Sequence, residues 1–116
     1  MAMTHFENEI SEKIKQTIVS AWQEGHGGTA EKAHLLHSND GVVMLIPEAL
    51  YQAELTLSKN SGAGENVLDQ YLRTLLYAVA SEFVPMLEKN TNRTIDKVIP
   101  LVDLQAGWAI AFYRFK

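Results

Sequence analysis

The sequence predicts an α+β domain in the order helix, hairpin, helices, hairpin, with a four-stranded, mostly antiparallel sheet and helices packed on one face. Three observations predict it. Phe6, Ile10, Ile14, Ile18 and Trp22 recur every fourth residue near the N-terminus, the spacing of one apolar helix face. Asn39-Asp40-Gly41 and Asp103-Leu104-Gln105-Ala106-Gly107 are turn segments, each set between apolar runs of strand length. Between the hairpins, Val67, Leu68, Tyr71, Leu72, Leu75, Leu76, Val79, Phe83 and Leu87 form a broad helical stripe.

The first helix carries Glu7, Glu12, Lys13, Lys15 and Gln16 on its polar side, and Thr4 with Glu7 has the spacing of a capping box. Gly25, Gly27 and Gly28 lie beyond Trp22, where glycine tolerates the left-handed backbone that ends a helix. The first hairpin pairs 33–38 with 42–46, and Pro47 closes it because proline cannot donate to a ladder. Residues 48–57 have a short helical pattern in Leu50, Ala53, Glu54 and Leu57, and 58–64 read as a flexible surface loop. Pro85 interrupts the long helix, so a kink or break is expected near Glu82, and Asn90-Thr91-Asn92-Arg93 ends it. In the second hairpin, which extends from Thr94 to Lys116, Trp108, Ile110 and Phe112 point one way while Ala109, Ala111, Tyr113 and Phe115 point the other.

That last strand is apolar on both faces, and so is Val42-Val43-Met44-Leu45-Ile46. A strand wetted on one side alternates apolar with polar, so both faces of this sheet are expected to be covered, one of them by another protein. Two-fold self-association is the commonest way to cover such a patch, which makes a homodimer the expected state. The residues expected at the interface are Trp108, Tyr113, Phe115 and Val43.

Composition narrows the function classes. With 116 residues, 47% apolar and 21% charged, the chain fits one folded domain spanning 1–116. A net charge of -4 with scattered basic residues offers no footprint for nucleic acid. There is no cysteine, hence no disulfide framework, and no run long enough to span a bilayer. The N-terminal residues lack a signal peptide's pattern, so a cytoplasmic location without direct membrane insertion is expected.

The chemistry-bearing residues form no recognised constellation. His34 and His37 stand three apart on a strand and face opposite sides, so they cannot share an ion without a bulge; His26 with His34 would be the pair to test. Gly25-His26-Gly27-Gly28 follows a helix and leads to a strand, the reverse of a phosphate loop. Asp96, Asp103 and Glu82 lack partners in the sequence, and Asp103 opens a turn, where its carboxylate can hold backbone amides. Trp22, Tyr51, Tyr71, Tyr77, Trp108 and Tyr113 mostly fall on core stripes. No catalytic residue, metal site or cofactor is expected, and an enzyme would require His26, His34 or Asp103 to converge.

The order of these elements, with "IPEALYQAE", "FVPMLEKNTNRTIDKV" and "VDLQAGWAIAFYRF", resembles the MpsC-like family, the C component of a sodium-translocating, membrane-potential-generating system. The resemblance spans about Phe6 to Phe115, with landmarks at Gly25 and Gly27, Pro47-Glu48, Pro85 to Leu87 and Asp103. Glu31-Lys32-Ala33-His34 and Leu45-Ile46-Pro47 depart from that family's usual basic strand and its Ser or Thr before the turn. The resemblance implies a non-catalytic accessory module of a membrane cation-transport system, peripheral to the inner membrane through an integral-membrane transporter subunit. The alternative is a free-standing oligomeric ligand-binding or sensor domain with its pocket between the long helix and the sheet.

Overall fold

The structure, a computed structural model, describes the backbone of residues 5–28, 30–60 and 62–116, and their side chains except those of 5–11, 57–60 and 62–65. The elements run α1 (His5–His26), β1 (His34–His37), β2 (Gly41–Ile46), α2 (Gln52–Asn60), α3 (Gly62–Ser81), α4 (Val84–Thr91), β3 (Ile95–Asp103) and β4 (Trp108–Phe115). The strands form one four-stranded sheet in the order β1-β2-β4-β3, antiparallel at every pairing. The helices pack on one face of it.

That face is built in cross-strand rows. Val42, Tyr113 and Val98 stand side by side, then Leu35, Met44, Ala111 and Pro100, then Ile46, Ala109 and Val102. Ala109 and Ala111 are small, which lets Leu72 and Leu76 of α3 settle closely, and all four are fully buried. Ile14, Ile18 and Trp22 of α1 complete the same cluster with Phe83 and Leu87. Trp22 donates its indole N–H to Ala49 O at 3.0 Å, and the Tyr113 hydroxyl donates to Ala80 O at 2.7 Å. Each buried aromatic thus joins apolar area to one satisfied polar atom. Phe6, Ile10 and the capping pair Thr4 and Glu7 lie outside the described residues or side chains.

The first helix does end among its glycines as expected: it runs to His26, and Gly27 takes the left-handed conformation at φ 79°, donating to Gln23 O at 2.8 Å. Several other boundaries differ from the sequence reading. The short helix begins at Gln52, because Glu54 accepts the Tyr51 N–H at 2.8 Å and so caps the start there. Residues 58–60 and 62–64 are helical and not a loop: α2 runs to Asn60 and α3 starts at Gly62. Packing between α2 and α3 outweighs the poor helix propensity of Ser and Gly there. Pro85 produces a full break, with α3 ending at Ser81 and Pro85 in the first turn of α4, where no amide partner is missed. Val67 and Tyr71, counted in the core stripe, are exposed, so the buried stripe of α3 is the narrower set Leu68, Leu72, Leu76 and Val79, joined by Ala80.

Candidate functional site

The face of the sheet away from the helices is the first candidate. Its centre consists of two apolar rows, Leu36–Val43–Phe112–Ile99 and His34–Leu45–Ile110–Leu101. Leu36 is 55% exposed, Leu101 45% and Trp108 36%, while Val43, Leu45, Ile99, Ile110 and Phe112 are half-buried by one another. Isolated exposed apolar residues are ordinary, whereas a contiguous apolar patch on a sheet is a candidate interaction surface.

The two ends of that face are polar and opposite in sign. At one end a row of Gly41, Arg114 and Lys97 crosses the sheet; at the other, Trp108 stands beside Asp103. Asp96 occupies a bulge between Ile95 and Lys97, and Arg114 grips it with Nε at 3.0 Å and a second guanidinium nitrogen at 3.2 Å. The hydrogen bond and charge of Arg114, helped by Lys116 and Lys97, hold the Asp96 carboxyl below its usual range. Asp103 behaves as the turn residue expected, its Oδ1 accepting the Gln105 and Ala106 N–H groups at 3.0 and 3.1 Å.

Of the expected interface residues, Trp108 and Val43 lie on this face, whereas Tyr113 and Phe115 do not. Tyr113 is fully buried under α3 and Phe115 is nearly so, because the period of two sends them to the helix side. Burial also pushes the Tyr113 hydroxyl pKa well above its ordinary value. Tyr113 and Phe115 are therefore core residues, and the apolar residues that face outward are Trp108 and Val43 with Leu36, Leu45, Ile99, Leu101, Ile110 and Phe112.

A second cluster sits where α1 meets α2. His26 stacks between Trp22 and Tyr51, with ring centroids 4.7 and 5.0 Å away. Its Nε2 lies 2.9 and 3.1 Å from the two Glu54 carboxylate oxygens, and its side chain is only 3% exposed. Tyr51 also donates its hydroxyl to Gly27 O. A carboxylate bonded to one imidazole nitrogen is how a general base is oriented, but Nδ1, the nitrogen left over, is buried against Gly28 with no partner among the described residues. The contacts of His26 with Trp22, Tyr51 and Glu54 make the cluster a clasp joining the end of α1 to the start of α2. Sequence reading placed His26 in a loop and missed Glu54; the only local signal was Glu54 at capping distance from Tyr51.

The residues on which an enzyme would depend are dispersed. His34 and Asp103 lie on opposite edge strands, three strand spacings or roughly 14 Å apart. His26 is engaged by Glu54. Among the described residues no group of His, Cys, Asp or Glu could hold a metal ion. The space between α3 and the sheet, where the alternative reading put a ligand pocket, is filled by the core. An open groove of about 590 Å³ lies instead between α1 and residues 31–34, lined by Glu12, Lys15, Glu31, Lys32 and His34.

No family model, curated protein or solved structure matches the chain. No helix among the described residues is long and apolar enough to cross a membrane.

Proposed function

We propose that this chain is a non-catalytic protein-interaction module that works through the helix-free face of its sheet, as an accessory or regulatory part of a bacterial membrane cation-transport system. The observation that carries the interaction reading is the pair of apolar rows with no helix over them among the described residues. Leaving such a surface in water opposes solubility, and covering it contributes stability in proportion to the apolar area removed. The transport part is supported by the order of landmarks shared with the MpsC-like family, including the Gly25 and Gly27 helix end, Pro47-Glu48, Pro85 to Leu87 and Asp103. In this reading the module is cytoplasmic, self-associates, and reaches the membrane through an integral-membrane transporter subunit.

The test is recovery of the tagged chain from detergent-solubilised native cells, with mass spectrometry of its partners, alongside a variant carrying Ile110→Lys. The expected outcome is a stoichiometric integral-membrane transport subunit with the native chain. Recovery of the chain alone, or of soluble proteins only, overturns the transport assignment and leaves an oligomeric ligand-binding or sensor domain. The groove between α1 and residues 31–34 is where such a ligand would be sought.

A further inference from the structure

We infer that the open sheet face is covered by a second copy of this chain, stacked face to face about a two-fold axis that runs across the strands between the two apolar rows. The inference rests on the interaction reading above and names its partner and geometry. Rotation about that axis lays each strand over its own counterpart running the opposite way. The row ending in Ile99 then covers the row ending in Leu101, so Phe112 meets Ile110 and Val43 meets Leu45 of the second copy.

Charge selects this axis. Lys97 and Asp103 stand at opposite ends of the same face of β3, and neither forms an ion pair among the described residues. The rotation brings Lys97 of one copy over Asp103 of the other, twice per dimer. It also sets Arg114 over Trp108, a cation against an aromatic face. An axis along the strands instead lays the nine-residue β3 over the four-residue β1, leaving Lys97 and Asp103 unmatched and part of the apolar rows in water.

The sheet edges offer no rival route. β1 is short, and β3 carries Pro100, Lys97 and a bulge at Asp96, three devices that obstruct strand addition. By strand spacing and rise the open face has a flat footprint of roughly 400 Å². That is below the ~800 Å² per partner of a standard stable complex, so a micromolar dimer is expected.

Sedimentation equilibrium from about 1 to about 500 µM, with charge reversal and cysteine crosslinking, tests it. The native chain should dimerise. Lys97→Asp should weaken the dimer by roughly ten-fold at low salt, and Lys97→Asp with Asp103→Lys should restore it. Because the chain has no cysteine, a mixture of Lys97→Cys and Asp103→Cys chains should crosslink with a short bis-maleimide, whereas either variant alone should not. A monomer throughout the range overturns the inference; if Ile110→Lys still abolishes capture of a membrane subunit, the interaction reading survives without it. A dimer whose affinity ignores both charge reversals, or which crosslinks Lys97→Cys to itself, overturns the stacking geometry.

Discussion

The two faces of this sheet have nearly the same hydrophobicity and opposite fates. Val42, Met44 and Ile46 of β2 are buried beneath helices, while Val43 and Leu45, interleaved with them in sequence, stay half-exposed. On β4, Ala109, Ala111 and Tyr113 are buried, and Trp108, Ile110 and Phe112 look outward. The difference lies in side-chain shape. On β4 the helix side sets two small residues, Ala109 and Ala111, beside Tyr113, whose hydroxyl reaches Ala80 O, a surface cut to receive α3. The outer side carries large side chains throughout, with charges only at its ends, a surface suited to a flat partner.

Introducing one charge on each face sharpens this comparison most. Met44→Lys should unfold the domain or cost more than about 4 kcal/mol, since a cation would enter the dry core. Leu45→Lys, one residue later, should change monomer stability by less than about 1 kcal/mol while weakening association. Urea denaturation across protein concentrations separates the two. Equal losses would mean that the outer face is covered within the monomer.

The two tryptophans give the next contrast. Trp22→Ala should cost about 3–5 kcal/mol by chemical denaturation, from its buried volume and its bond to Ala49 O. Trp108→Ala should cost the monomer under about 1 kcal/mol, with its main effect on the association constant.

Titration gives a smaller separation. The folded pKa of Tyr113 lies above its unfolded value near 10, so its contribution is complete below pH 10 and declines as pH rises further, because the phenolate is favoured in the unfolded chain. Stability measured from pH 9 to 11 should fall, and Tyr113→Phe should flatten that fall at a cost of about 1 kcal/mol near pH 7. Smallest of all is Asp96 on the outer face. Its folded pKa is depressed, so the Arg114 bond contributes above the ordinary carboxylate range and is lost as pH falls through the lowered value. Asp96→Asn should remove that shallow acid slope while leaving the buried face unaffected, as a thermal-melt series from pH 2 to 6 would register. A steep slope from Asp96 would mean that partner contacts bury this end of the face.

Much of the architecture was legible along the chain because it depends on period and local geometry. Apolar spacing marks α1 and the buried stripe of α3, turn residues mark both hairpins, and Pro85 marks the break before α4. Strand alternation likewise separates Trp108 from Tyr113. What alternation does not carry is a direction: two apolar faces are equivalent until helices choose one, and that choice places Tyr113 and Phe115 in the core and Trp108 and Val43 outside. The remaining features join residues distant in sequence. His26 meets Glu54 only when α2 lies beside the end of α1, residues 58–60 stay helical in the packing of α2 on α3, and the strand order puts Lys97 and Arg114 together across the sheet from Trp108 and Asp103. Local periodicity determined the elements and their apolar sides, whereas long-range packing decided which side remained open, because burial depends on which surfaces meet in space.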